Sequence, residues 1–290
     1  MNFSQTFKEI IQHIETEGTE SKPRDMRVKE VVLADFMINP LKPIADFYER
    51  PFNWKYFAGE LAWYLHRDRS IDYISDYSKF WSKLTNPGTN QINSNYGSLV
   101  ITDDQFSWVI ESLKTDINSR QAIMFFNRPE FQFEGNKDFV CTMYANFFVR
   151  NNTLHMKVQM RSNDIFFGLT FDAPFFSFLM QSVYLILQKD YPTLKLGNYY
   201  HFADNLHFYE RHFELANAIT KSEIKKPYTL LLKKPFIEYN ADKTISLSDA
   251  AMEFKQRMDA AKGTDEVDYK CLIKDYFYTA ENVESAENIH

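Results

Sequence analysis

Glycine is scarce in this chain, with eight in 290 residues, at positions 18, 59, 88, 97, 135, 168, 197 and 263. That spacing admits neither GxGxxG nor GxxxxGK(S/T), so Rossmann dinucleotide binding and P-loop chemistry are excluded. Cysteine is scarcer still. Cys141 and Cys271 stand far apart, which argues against a disulfide framework or a cysteine-rich zinc site. The first fourteen residues carry charges and lack the apolar segment of a signal peptide, so a cytosolic location is expected. Neither sign of charge dominates: 33 basic and 39 acidic residues leave a net charge of −6. This disfavours nonspecific coating of nucleic acid but leaves room for a local phosphate pocket.

What is present suits a folded body. A 44% hydrophobic and 25% charged composition excludes wholesale disorder, and the length allows a sizeable core. The one apolar run of membrane length, Ile165 to Gln188, contains Gly168, Asp172 and Pro174, and is read as a buried soluble helix. Helices are expected over Phe3 to Ile14, Trp54 to His66, Asp103 to Leu113 (capped by Asp103 or Asp104), Leu206 to Ala218 and Asp249 to Ala261. A further long helix is expected to begin at Pro174. Strands are expected over Val28 to Ile38, Ala122 to Phe126, Phe139 to Arg150, Leu154 to Met160, Leu194 to Phe202 and Tyr228 to Leu232. Asn151 and Asn152 supply a hairpin turn. Glu15 to Lys22 reads as a loop.

One main domain is expected over 1–263, followed by an acidic tail over 264–290. The tail holds seven acids and two lysines. It reads as a solvated appendage, with Tyr276, Phe277 and Tyr278 able to dock on the body.

Singly, the chemical candidates are ambiguous. Glu60 on an apolar helix is either a structurally paired buried acid or a catalytic acid with a raised pKa. Cys141 within a strand is either a small buried hydrophobe or a nucleophile. Arg161 at a strand end could simply be solvated. His201, His207 and His212 show no metal-ligand spacing, and no metal is expected.

In order, they form a pattern. Arg161 to Asp172, RSNDIFFGLTFD, resembles the thymidylate synthase signature RSxDxxxGLxFN except in its last residue. Cys141 lies 20 residues before Arg161, where that family has its nucleophile. Gly59 to Leu65 looks like the helix bearing the catalytic glutamate, and Asn93 to Gly97 like the loop with an active-site tyrosine, Tyr96. His201 to Tyr209 is similar to the sugar-binding element. The resemblance covers roughly Arg24 to Leu232, and with Asp172 in the last position the segment looks like the deoxycytidylate hydroxymethylase branch of T-even-like phages.

The resemblance implies an α/β fold with a large mixed sheet flanked by helices, forming a homodimer through sheet faces. It implies that Cys141 attacks the base, with Glu60, Tyr96 and Asp172 as its catalytic companions. It gives phosphate binding to Arg24, Arg161, Ser162 and, in trans, Arg120, whose usual second arginine is here Gln121. His207 and Tyr209 would hold the sugar. Trp81, Asp164, Phe167, Gly168 and Phe171 would hold the co-substrate, 5,10-methylenetetrahydrofolate.

Asp172 is the informative departure. The synthases place asparagine there, complementary to the ring NH and 4-carbonyl of uracil. A carboxylate instead accepts from the 4-amino group of cytosine and from a protonated ring nitrogen 3. Against uracil it would leave a buried mismatch costing about 1–3 kcal/mol. The implied substrate is therefore dCMP. The synthases also end in an apolar segment that shields the site from water, whereas this sequence has its acidic tail, so hydration to a hydroxymethyl product is expected. Val140 and Thr142 replace the residues usual beside the nucleophile. The alternatives are a dCMP methylase, a CMP- or dUMP-specific relative, and a retired enzyme kept as a nucleotide-binding scaffold. No membrane partner and no direct nucleic-acid partner is expected.

Overall fold

The computed structural model describes residues 2–264 and 266–279. Alternating sequence builds its frame. Strand β4 (Thr142–Arg150) turns through Asn151 and Asn152 into β5 (Thr153–Met160). Both asparagines adopt left-handed backbone (φ 50° and 57°), the twist a two-residue hairpin requires. Leu154, Met156, Val158 and Met160 are all buried on one face of β5, while the residues between them are half-buried on the other.

Around this hairpin lies a seven-stranded mixed sheet. With β1 (Thr19–Ser21), β2 (Val28–Ile38), β3 (Ile123–Phe125) and β7 (Lys195–Tyr209), its order is β1-β2-β7-β5-β4-β3. The β5–β7 pair is parallel and the other neighbours on this path are antiparallel. A short β6 (Asn163–Asp164) adds to β7 in parallel.

Helices cover one face. In chain order they are α1 (Phe3–Glu17), α2 (Trp54–His66), α3 (Ile71–Ile74), α4 (Tyr96–Val100), α5 (Phe106–Thr115), α6 (Thr170–Leu187), α7 (Phe213–Lys221), α8 (Asp249–Ala260) and α9 (Tyr269–Tyr276). The membrane-length apolar segment is α6 with the π-helical turn before it, and most of it is buried inside the protein. The opposite sheet face carries half-buried Tyr144, Phe148, His155, Lys157, Tyr200 and Phe202, with the Lys157 ammonium 4.3 Å from the Phe202 ring centroid.

The sequence-based bounds of β2 and α2 agree with the structure, and several others need correction. The expected loop after α1 is largely helix and β1, because Thr19–Ser21 pairs with Val28–Glu30. α5 begins at Phe106 without a side-chain cap. Asp103 instead accepts from Ile245 N at 2.7 Å, and Asp104 from Thr102 Oγ1 at 2.6 Å. Pro174 is inside α6 rather than first, since the π-helical turn Ile165–Leu169 leads straight into that helix. The helix expected from Leu206 starts at Phe213. Pairing of Val28 with Tyr209 keeps β7 extended to that point.

Residues 269–278 of the expected tail are folded rather than a solvated appendage. Tyr269, Leu272, Ile273 and Tyr276 of α9 are buried, and β11 (Phe277–Tyr278) pairs with β8 (Leu231–Leu232) while burying Phe277. Asp265 and the acids at 281, 284 and 287 lie outside the described residues.

Candidate active site

α2 carries Glu60. Asn53 caps it by accepting from Tyr56 N, and Phe57 to Leu65 are all buried. Gly59 is required by close packing, since a Cβ there would come within 2.4 Å of the Tyr77 ring. Glu60 is thus held inside the protein, 7% exposed. Its Oε1 accepts from the Tyr56 hydroxyl at 2.8 Å, and that hydroxyl accepts from Trp81 Nε1 at 3.1 Å. Burial pushes Glu60 up to about 8 against the Tyr56 hydrogen bond, and the Asp172 charge adds to the rise.

Cys141 sits one residue before β4, not within it. Its placement depends on Arg161, which the structure shows braced rather than solvated. Arg161 N donates to the Cys141 carbonyl at 2.9 Å and its Nε to the Val140 carbonyl at 3.2 Å. Its Nη2 donates to the Phe139 carbonyl and lies 3.4 Å from Cys141 Sγ. Burial pushes the Cys141 thiol up, the Arg161 charge pulls it down, and Asp172 pushes it up again.

Asp138, missed in the sequence, ties a second loop to the nucleophile. Its Oδ2 accepts from Asn93 N and Ser94 N, each at 2.6 Å, and its Oδ1 accepts from Ser94 Oγ. Asn95 then caps α4 by accepting from Ser98 N at 2.8 Å. This sets Tyr96, whose ring stacks on Tyr64 (5.4 Å, 15°) and whose oxygen lies 2.8 Å from Thr142 Oγ1. Burial, then the Asp172 and Cys141 charges, push the Tyr96 phenol well above its ordinary value.

Asp172 stands in the first turn of α6. Its Oδ2 accepts from Asn163 Nδ2 at 2.8 Å, while Asn163 Oδ1 is buried without a partner among the described residues. Burial pushes Asp172 up to about 6, the Asn163 bond opposing and Asp164 adding. Asp164 caps the π-helical turn, accepting from Phe166 N at 2.8 Å and Phe167 N at 3.3 Å. That turn presents Phe167, which stacks with Phe80 at 6.5 Å and 13°. Both rings are about half exposed. Phe171 packs edge-on to Tyr56 at 4.6 Å.

The end of β7 brings in His207. Asn205 Nδ2 donates to Glu30 Oε2 at 2.8 Å, so its Oδ1 faces His207 Nδ1, also at 2.8 Å. A carboxylate accepts only, so this chain fixes the amide and hence the tautomer: Nδ1 carries the proton and Nε2 accepts. Burial pushes His207 down to about 4, so it is neutral at physiological pH. The Tyr209 ring lies edge-on to His207 at 5.3 Å, with Arg211 over its face at 4.5 Å.

Not every expected residue joins the cluster. Arg24 is exposed with a left-handed backbone (φ 50°), though its charge reaches Cys141 and His207. Ser162 is half-buried between Arg161 and Asn163. Arg120 is exposed after α5, and among the described residues no hydrogen bond or ion pair links it to Cys141. His201 is fully buried, its Nδ1 2.6 Å from the Tyr199 hydroxyl.

A thiol beside an arginine, a buried glutamate and a second carboxylate near a tyrosine lie close enough to shift one another's ionisation. The chain belongs to the thymidylate synthase family, whose model, described as thymidylate synthase, matches residues 5–259. It is a one-carbon transferase of that family, whose enzymes use methylenetetrahydrofolate. Among its relatives, the deoxycytidylate 5-hydroxymethyltransferase of Enterobacteria phage T6 is 30% identical over 241 residues, 78% of this chain and 96% of that protein. The deoxyuridylate hydroxymethyltransferase of Bacillus phage SP01 is 28% identical over 71% of this chain and 57% of its own length. The thymidylate synthase of Mycoplasma genitalium is 25% identical over 66% and 76% respectively.

Proposed function

We propose that the protein transfers a one-carbon unit to carbon 5 of dCMP and hydrates it, giving 5-hydroxymethyl-dCMP. The observation that carries this reading is the Asp172 carboxylate, held by Asn163 and sharing an electrostatic environment with Cys141 and Tyr96. With its pKa near 6, it is about nine-tenths ionised at pH 7 and accepts from the 4-amino group and the protonated ring nitrogen 3.

Cys141 Sγ adds to carbon 6 of the base, which makes carbon 5 nucleophilic, and the Arg161 guanidinium favours the thiolate. Methylenetetrahydrofolate supplies the one-carbon unit at the oxidation level of formaldehyde. The residues present fit such a ligand: the stacked Phe80 and Phe167 rings offer flat apolar faces, and Trp81 lies beside Phe80. The family resemblance adds Asp164, Gly168 and Phe171 to the residues that hold it. Glu60 is mostly protonated at neutral pH, and holds and moves the proton needed at the base. Tyr96 assists at carbon 5. Once the one-carbon unit is bonded to carbon 5, loss of the carbon 5 proton and of tetrahydrofolate, whose bond to that carbon breaks, leaves an exocyclic methylene; water adds to it, and elimination of Cys141 from carbon 6 restores the ring. His207 Nε2 accepts from the sugar 3′-hydroxyl with Tyr209 alongside, and Arg24, Arg161 and Ser162 bind phosphate. A partner subunit, docked on the amphipathic sheet face, supplies its own Arg120 to that phosphate.

Mass spectrometry with methylenetetrahydrofolate and dCMP, dUMP and CMP in competition tests this. Gain of CH2O on dCMP is expected, while gain of CH2 would mean methylation. Gain on dUMP would favour a second reading, supported by the SP01 relative and by the raised pKa of Asp172, since a neutral carboxyl donates to a 4-carbonyl. No product from any of the three would favour the scaffold.

A further inference from the structure

Tyr56 is not among the residues that carry the family resemblance. It lies one helical turn before Glu60, on the same face of α2. Its oxygen accepts from Trp81 Nε1 at 3.1 Å, and an indole nitrogen only donates. A phenol has one proton, so that proton points at Glu60 Oε1, 2.8 Å away. The ring is packed edge-on against Phe171, which holds the hydroxyl in line.

We infer that Tyr56 is a positioning residue: it reserves Glu60 Oε1 as an acceptor and so directs the carboxyl proton to Oε2. A proton on Oε1 would face the Tyr56 proton, which cannot turn away without meeting the Trp81 N–H. Tyr64 also makes a hydrogen bond that favours the carboxylate, but a weaker one than that of Tyr56, so Oε2 is the atom that holds and releases the proton during turnover. The chain Trp81–Tyr56–Glu60 runs one way, and its direction is set by the donor-only indole. This inference rests on the acid–base role proposed for Glu60.

The titratable groups facing Glu60 are Tyr56 and Tyr64 from its own helix and Asp172 from α6. Of these, Tyr56 makes the hydrogen bond that most favours the carboxylate, against burial. Its loss must raise the Glu60 midpoint. The test is a carbon-13 NMR titration of the Glu60 carboxyl in the full chain, assigned by its absence in E60Q. Y56F is expected to move the midpoint upward from about 8 by roughly half a unit to one unit. W81F, which keeps the tyrosine but removes its donor, is expected to move it upward by less. The alkaline limb of the kcat profile should follow the NMR midpoint in each variant, which a merely structural role would not produce. An unmoved midpoint in folded Y56F overturns the inference. If Y56F does not fold, W81F decides alone: an upward shift supports the chain and an unmoved midpoint refutes it. Failure of the wild type to convert dCMP would instead remove the proposed function, and the titration would still decide the role of Tyr56.

Discussion

Asn163 Nδ2 reaches Asp172 Oδ2 at 2.8 Å because Gly168 puts no side chain between them. A Cβ on Gly168 would lie 2.7 Å from Asn163 Nδ2 and 3.1 Å from Asp172 Oδ2. Three residues of one segment therefore fix the orientation of a single carboxylate.

Gly168→Ala should disturb this contact first. We expect a stability loss of about 1–3 kcal/mol by thermal melting, with a larger proportional loss in kcat/KM for the nucleotide. A variant as active as wild type would mean that the Asn163–Asp172 contact does not control the site.

Asp172→Asn should move the ratio of kcat/KM for dCMP and dUMP toward dUMP by roughly 5- to 150-fold, the factor that 1–3 kcal/mol of mismatch supplies. Competition assays over pH extend the test. In the wild type, relative use of dUMP should rise below pH 6 as Asp172 protonates. An unchanged ratio in the variant would remove Asp172 as selector.

Glu60 makes the folded state sensitive to alkali. Its folded pKa, about 8, lies above the unfolded value for a glutamate, so it binds more protons when folded. Its contribution is most favourable below about pH 4 and is lost as pH rises through 8. E60Q should therefore gain stability over wild type between pH 5 and 8, by up to roughly a few kcal/mol, and the gain should level off above that range. Urea titrations of both proteins at three pH values measure it.

Arg161→Lys should uncouple the thiol. A lysine cannot bond the Phe139 and Val140 carbonyls and approach Sγ at once, as the guanidinium does. In a C271S background, which removes the exposed second thiol, the pH midpoint for iodoacetamide alkylation of Cys141 should rise. Cys141→Ala should abolish turnover without unfolding, and a scaffold would keep its function in vivo.

Ending the chain after Gly263 should destabilise it, because that cut removes buried Tyr269, Leu272, Ile273, Tyr276 and Phe277. Loss of more than about 3 kcal/mol is expected from equilibrium unfolding. An unchanged midpoint would mean that α9 contributes no packing to α2, the helix that bears Glu60.

Much of this protein was legible in its sequence, and for identifiable reasons. Helix α2 and strand β2 follow local periodicity and were readable to the residue. Glu60, Tyr96, Cys141, Arg161, Asp172 and His207 stood out only through the resemblance of their ordered motifs to those of the family, since each was ambiguous alone. Tyr56, Asp138 and Asn163 did not stand out. Nothing in a one-dimensional pattern says that Asp138 accepts from Asn93 and Ser94, 45 and 44 residues earlier. The cap expected at Asp103 or Asp104 failed for two reasons: Asp103 is taken by Ile245, 142 residues away, and Asp104 by its near neighbour Thr102.

The sequence by itself determined the family, through motifs that resemble its signature, and showed which carboxylate departs from that signature, because both depend on residue type at a given position. The tertiary structure decided the protonation of Glu60 and Asp172 and the fate of the segments with mixed signals. Leu206 to Tyr209 is strand because β2 pairs with it, and residues 269–278 are folded because α2 and β8 cover their apolar side chains. Burial pushes Glu60 up to about 8 and Asp172 up to about 6. Desolvation and hydrogen bonding act between residues far apart in the chain, so their outcome exists only once the chain has closed on itself.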